Sequence, residues 1–105
     1  TQLSNEDEIL PVFENVVLHP NFPNPFNPVT TLRYDLPEDS QVSIMIYDIM
    51  GRKVKTLVNK SQNAGFKATI WDATNDLGQP VSAGIYLYTI QAGDFRQTRK
   101  MVLLK

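Results

Sequence analysis

The chain contains no cysteine, and His19 is its single histidine. The absence of cysteine excludes disulfide bonds, thiolate metal sites and cysteine nucleophiles. One histidine is too few for a histidine-rich metal site. The acidic residues fall almost entirely in predicted turns or on the polar faces of predicted strands, where a solvated carboxylate is the ordinary state. We therefore predict that the chain has no active site, and the sequence indicates no cofactor.

The chain also has little net charge and no long apolar run. The formal net charge is −1, which gives no electrostatic basis for binding nucleic acid or a membrane surface. No apolar run reaches the length of a transmembrane helix, so direct membrane insertion is not expected. No segment shows a sustained helical period. At 105 residues, with 42% hydrophobic and 20% charged residues, the chain has the composition of one globular domain.

Residues 1–11 contain Glu6, Asp7 and Glu8 and few apolar side chains. This composition predicts a flexible linker or leader, with the folded domain occupying residues 12–105. The first residue is Thr, and no signal peptide is present. We therefore expect the chain to be a piece of a longer protein.

The remainder alternates polar and apolar residues in short segments. Period-two patterns run through residues 31–36, 42–47, 53–58, 66–71, 85–92 and 95–104, and a short first strand is expected within residues 12–18. Residues 42–58 are predicted to form a hairpin in which Gly51 takes a positive φ. In its second strand, Val54 and Val58 are expected to face the core and Leu57 to lie at a bulge. Short strands at this spacing predict an all-β sandwich or barrel.

Residues 21–31, here called the proline loop, begin Asn-Phe-Pro-Asn-Pro-Phe-Asn-Pro. Proline fixes φ and donates no backbone hydrogen bond, so neither a helix nor a central strand is expected. Phe22 and Phe26 are too large and apolar for a solvated linker. We predict an ordered loop whose two rings close one end of a β core, with Asn24 and Asn27 bonding the backbone in Asx turns. The structural motif proper comprises Pro23, Asn24, Pro25, Phe26, Asn27 and Pro28.

Asp72, Thr74 and Asp76 place oxygen atoms at alternate positions, as the start of an EF-hand calcium loop does. Leu77 stands where that loop needs glycine, and Ala83 where it needs a bidentate glutamate. We favour a hydrogen-bonded turn, and a weak calcium site remains the alternative.

Trp71, Tyr86 and Tyr88 lie on or beside predicted strands. Aromatic residues of strands commonly pack against a neighbouring sheet, which is the interpretation that we favour. A carbohydrate-stacking platform is the alternative.

The last predicted strand carries several basic residues, and no acidic residue follows residue 95. Apolar residues lie between the basic ones, on both faces of the strand. The basic residues are Arg96, Arg99, Lys100 and Lys105, and the apolar ones are Met101, Val102, Leu103 and Leu104. Such a strand can complete the sandwich, and it can also offer an edge to which a partner adds a strand. The two interpretations are compatible.

These segments together resemble the type A C-terminal sorting domain of the type IX secretion system, found in Bacteroidetes and related phyla. The resemblance covers residues 12–105 in the expected order. It is carried by the proline loop, by Leu-Arg-Tyr-Asp-Leu-Pro at 32–37 and by Ile-Tyr-Asp-Ile-Met-Gly-Arg-Lys-Val at 46–54. It continues through residues 64–65, 71–72 and 78–86 to Arg-Lys-Met-Val-Leu-Leu-Lys at 99–105.

The resemblance implies an immunoglobulin-like antiparallel β-sandwich of about seven strands. It also implies a secretion signal that directs an exported, covalently attached cargo through the outer-membrane translocon to the cell surface or medium, with passage through the periplasm. In the family a sortase usually removes the domain, which places cleavage within residues 1–11. Any enzymatic activity would reside in the cargo. The recognition residues carried over by position are Gly51, Val54, Lys100, Met101, Val102, Leu103, Leu104 and Lys105.

A second hypothesis is an immunoglobulin-like spacer or carbohydrate-binding module of a secreted hydrolase. The immunoglobulin-like domain of flagellar hook-capping proteins looks similar in sequence. Binding of a polysaccharide through Trp71, Tyr86 and Tyr88 would favour this hypothesis.

Overall fold

The computed structural model describes residues 15–105 and contains seven strands. They are β1 (Val17–Leu18), β2 (Thr30–Leu36), β3 (Ser40–Asp48), β4 (Lys53–Gln62), β5 (Gly65–Trp71), β6 (Gly84–Ala92) and β7 (Phe95–Leu103). The predicted leader, and the first residues of the strand expected within 12–18, lie outside the described residues. Within residues 15–105 no helix has the length and apolar character needed to cross a membrane.

The strands form two antiparallel sheets. One has three strands in the order β1-β2-β5, and the other has four strands in the order β4-β3-β6-β7. Neighbouring strands pair antiparallel throughout both sheets. The prediction of an all-β sandwich is thus confirmed, and β7 lies at the edge of the four-stranded sheet.

The core lies between the two sheets because alternate residues of each strand point inward. The four-stranded sheet contributes apolar side chains from β3, β6 and β7, and the three-stranded sheet contributes those of β2 and the end of β5. Fully buried members are Leu32, Tyr34, Leu36, Val42, Ile44, Ile46, Trp71, Tyr88, Ile90 and Met101.

The hairpin of β3 and β4 has the predicted geometry at its turn and at its bulge. Gly51 has φ 84°, a conformation that a residue without Cβ adopts at little cost. Ile44 pairs with Val58 and the next residue of β3 pairs with Thr56, so Leu57 is the extra residue of a bulge. β4 continues to Gln62, beyond the predicted end at residue 58. Polar residues are tolerated there because β4 is an edge strand with one side open to solvent.

In β5 the alternation predicts a strand, and the structure shows which side faces water. Phe66, Ala68 and Ile70 point outward and are exposed, while Trp71 is buried at the end of the strand. The outer face of the three-stranded sheet is therefore apolar along β5.

The prediction that both rings of the proline loop are buried is wrong for Phe22. Phe26 is 1% exposed and belongs to the core, whereas Phe22 is 73% exposed. The reason is the bridge between Phe22 and Thr31. Paired residues of an antiparallel bridge project to the same face, and Thr31 is on the outer face of β2, one residue from the buried Leu32.

Candidate recognition surface

The two segments predicted to be recognised lie at the same end of the four-stranded sheet. The register places Tyr47 of β3 beside Leu87 of β6, and Leu87 beside Lys100 of β7. On its other side Tyr47 pairs with Lys53 of β4. Lys53 and Lys100 therefore stand in one row, about 14 Å apart at three strand spacings. We call the surface formed by residues 49–53, 84–86 and 100–105 the terminal surface.

The last residues of the chain alternate between core and solvent. Met101 and Leu103 are buried in the core, whereas Lys100 and Lys105 are exposed and Leu104 is 50% exposed. Neither lysine has a carboxylate within ion-pair distance among residues 15–105. The buried pair fixes the strand in the sandwich, and the exposed residues are the ones that a partner can contact.

The proline loop hydrogen-bonds directly to this segment, which sequence reasoning missed. The Phe26 N–H donates to the Val102 carbonyl at 3.0 Å, and the Leu104 N–H donates to the Phe26 carbonyl at 2.8 Å. The Val102 N–H donates to Asn24 Oδ1 at 3.0 Å. The loop thus adds a short parallel bridge to the outer edge of β7.

The Asx turns predicted for Asn24 and Asn27 are wrong. The oxygen of Asn24 accepts from Val102, far along the chain, rather than from its own turn. Asn27 is exposed and makes no side-chain hydrogen bond within residues 15–105. The local bonds are made by Asn21, which donates from Nδ2 to Thr30 Oγ1 at 3.0 Å and to the Pro23 carbonyl at 3.3 Å.

Tyr88 anchors the start of the proline loop from the opposite sheet. Its hydroxyl accepts from the Asn21 N–H at 3.0 Å and donates to the His19 carbonyl at 3.2 Å. Burial raises the pKa of the Tyr88 phenol above its ordinary value. The hydroxyl therefore stays protonated and available as a donor at neutral pH.

Asp48 organises the turn that carries Gly51. Its Oδ1 accepts from the backbone N–H groups of Met50 and Arg52, each at 2.9 Å, and its Oδ2 accepts from Arg52 Nε at 2.9 Å. The hydrogen bond from the Arg52 backbone is the largest of several contacts that lower the pKa of this carboxyl. Asp48 was not singled out from the sequence, although an aspartate three residues before a glycine is an ordinary turn signal.

The tip of this turn presents two apolar side chains to solvent. Met50 is 75% exposed and Ile49 is 66% exposed. Beside them is a shallow pocket of about 190 Å³, lined by Asp48, Ile49, Met50, Arg52, Ala83, Gly84, Ile85 and Tyr86. The terminal surface thus combines exposed apolar side chains with lysines, a composition suited to a protein partner. This surface could not be predicted from period-two alternation, because the turn residues are not part of a strand and so lie on neither strand face.

Val54, like Met101 and Leu103, is a predicted recognition residue whose side chain contacts the core. It packs partly buried against the core and is the extra residue where the register shifts between Ile46 and Tyr47. Its side chain therefore supports the hairpin from inside. β3 and β6 separate this part of β4 from β7.

The three aromatic residues considered as a carbohydrate platform are buried. Trp71 and Tyr88 are fully enclosed and Tyr86 nearly so. Trp71 packs edge-on against Tyr86, with ring centroids 5.3 Å apart, and its Nε1 donates to the Thr74 carbonyl at 2.8 Å. A stacking platform needs an exposed ring face. The platform hypothesis is therefore wrong for these residues, and their packing in the core is confirmed.

The loop after β5 is held by hydrogen bonds of its acidic side chains. Asp72 Oδ1 accepts from the Thr74 hydroxyl at 2.6 Å, and this bond is the largest cause that lowers the pKa of Asp72. Asp76 Oδ1 accepts from the Thr56 N–H at 3.0 Å. In the described part of the chain, no three His, Cys, Asp or Glu side chains converge as metal ligands.

A family model described as secretion system C-terminal sorting domain matches residues 21–104. Among solved structures, the chain resembles dimeric latent PorU from Porphyromonas gingivalis, with 23% identity and a TM-score of 0.67 over 91% of this chain and 10% of that one. It also resembles PorZ, described as an essential bacterial surface component of the type-IX secretion system of the same organism. There the identity is 17% and the TM-score 0.58, over 84% of this chain and 11% of that one.

A third similar structure is the alkylpurine DNA glycosylase AlkC of Pseudomonas fluorescens, with 16% identity and a TM-score of 0.53 over 86% of this chain and 30% of that one. At such identities the likeness concerns the fold, which unrelated functions share. The chain spans about a tenth of the PorU and PorZ chains. No curated protein matches it.

Proposed function

This chain belongs to the family of secretion system C-terminal sorting domains, and we propose that the type IX translocon recognises it through the terminal surface. As a sorting domain it directs an attached cargo for export to the cell surface or the medium. A sorting domain is not itself catalytic. Any enzymatic activity of the whole protein would belong to the cargo.

The observation that carries the proposal is the alternation at the end of β7. Met101 and Leu103 are anchored in the core, which presents Lys100, Leu104 and Lys105 to solvent. A translocon that accepts many cargos needs a feature independent of the cargo, and a rigidly held strand end supplies one. The exposed Ile49 and Met50 at the same end extend the contact area.

The sortase step is a further part of the proposal. A sortase of the same system would remove the domain after export, cutting within residues 1–11. The composition of that segment, acidic and poor in apolar residues, supports this location, because a protease needs an extended and accessible chain.

A transplantation experiment tests the sorting role. The chain is appended to a passenger protein that carries its own signal peptide and is expressed in a bacterium with a working type IX system. The passenger is expected at the cell surface or in the medium in that strain and in the periplasm of a matched strain lacking the translocon. Equal surface delivery in both strains would contradict the proposal.

A further inference from the structure

We infer that the free stretch of the β7 edge, residues 96–100, is a docking site for an extended, acidic segment of a partner protein. The inference rests on the proposed function, since it concerns how a partner in the secretion system engages the terminal strand. It specifies that the partner binds at the β7 edge, that it pairs in one backbone register, and that it carries negative charge.

Backbone direction defines the site. β6 and β7 pair without a register shift from Ala92 opposite Phe95 to Gly84 opposite Leu103. In such a ladder alternate residues point their N–H and C=O groups away from the neighbour. The bonds of Val102 to the proline loop show that even-numbered residues face outward. The backbone groups of Arg96, Thr98 and Lys100 therefore face away from β6, and no hydrogen bond from residues 15–105 reaches them.

The proline loop sets the limit of the site. It occupies the outward groups of Val102 and the N–H of Leu104. A partner strand that adds to β7 can pair only from Arg96 to Lys100, a length of about 14 Å. The part of the edge that follows Lys100 is therefore closed to strand addition.

Charge selects the partner. Arg96 and Lys100 are exposed, and neither lies within ion-pair distance of a carboxylate among the described residues. A second copy pairing antiparallel about Thr98 would place Arg96 opposite Lys100, and like charges directly opposite each other are unfavourable. A partner strand with carboxylates four residues apart would face both cations. The edge therefore disfavours self-association and favours an acidic strand.

The test uses the chain itself and a seven-residue peptide that alternates valine and glutamate, with a valine–lysine peptide as the charge control. Amide hydrogen exchange is followed residue by residue by NMR. With the glutamate peptide at about ten times its dissociation constant, exchange at Arg96, Thr98 and Lys100 is expected to slow about tenfold. The lysine peptide is expected to leave these amides unchanged.

Thr98→Pro removes the central outward N–H and no backbone hydrogen bond to β6, and proline is tolerated where an edge N–H faces solvent. It also removes the 2.8 Å hydrogen bond between the Thr98 and Thr89 hydroxyls. It should abolish protection at Arg96 and Lys100. Ser61→Pro is the matched control on β4, because the register also turns the Ser61 N–H away from its neighbouring strand; it should bind as the unaltered chain does. If Thr98→Pro does not fold, the double variant Arg96→Glu and Lys100→Glu should reverse the preference toward the lysine peptide.

Several results would overturn the inference: protection of amides on another strand, no protection at millimolar peptide, equal response to both peptides, or dimerisation through β7 in sedimentation. An export assay distinguishes a failure of this docking site from a failure of the sorting role. If a folded Thr98→Pro chain still delivers its passenger to the surface as efficiently as the unaltered chain, the sorting role stands and the docking site is wrong.

Discussion

At the residue scale, Phe26 seats the proline loop in the core. Its ring lies 5.8 Å from that of Trp71, between centroids, in a tilted arrangement. Its backbone meanwhile bonds β7. Phe22, four positions earlier, contributes its backbone to a bridge with Thr31 and leaves its ring in solvent. Two phenylalanines of the same loop thus have different surroundings, Phe26 in the core and Phe22 in solvent.

This difference predicts unequal losses of stability. Phe26→Ala should lower the free energy of unfolding by about 3–5 kcal/mol, because it removes a buried ring and leaves a cavity. Phe22→Ala, the matched control, should change it by less than about 0.5 kcal/mol, since it removes a ring already in solvent. Urea unfolding followed by tryptophan fluorescence measures both. Equal losses in the two variants would contradict the assigned burial.

The sequence could not separate these two phenylalanines. Each phenylalanine lies between an asparagine and a proline, so the local sequence around the two rings gives the same structural signal. Their burial is decided by which strand each residue bridges, and the bridge of Phe26 is to Leu103, at the other end of the chain. Gly51 and Leu57 were predicted correctly because a turn and a bulge leave local signatures.

At the scale of elements, the proline loop acts as a short additional strand on β7. Period-two alternation was enough to locate the strands, because one face of each is buried and the other is not. The pairing of Asn24 with Val102 spans 78 positions, and no local pattern encodes it. The loop and the terminal strand, which the sequence suggested were separate features, are joined by three hydrogen bonds.

The contact between loop and strand can be measured through a single acceptor. Asn24→Ala removes the partner of the Val102 N–H, and a net loss of about 1 kcal/mol corresponds to an amide exchange rate about fivefold faster at Val102. Asn27→Ala is the control, since that side chain is exposed and bonds nothing within residues 15–105. Unchanged exchange at Val102 in Asn24→Ala would show that the bond does not contribute.

At the scale of the whole molecule, both sheets hold the terminal segment in place. Met101 and Leu103 belong to the core, while the proline loop, which leads into β2 of the other sheet, covers the edge beside them. A truncation of residues 100–105 therefore removes core side chains and would impair folding, besides removing part of the proposed recognition surface. Substitution of the exposed lysines separates the two effects.

The ordered set of motifs predicted the family, and the family defines the sorting role. What the sequence did not show is the terminal surface that we propose as the recognition site, because Met50, Lys53, Ile85 and Lys105 come together only when β3, β4, β6 and β7 pair. The exposed cations were visible in the sequence as a run of basic residues. The sequence did not show that no carboxylate of residues 15–105 lies within ion-pair distance of Lys100 or Lys105.

Surface delivery of a fused cargo by the double variant Lys100→Glu and Lys105→Glu tests the central claim most directly. Both side chains are exposed, so the variant should fold and unfold as the unaltered chain does. Its cargo is expected to accumulate in the periplasm, whereas the control Lys60→Glu, an exposed lysine on the opposite edge strand, should be delivered normally. Normal surface delivery by the folded double variant would contradict recognition through the terminal surface.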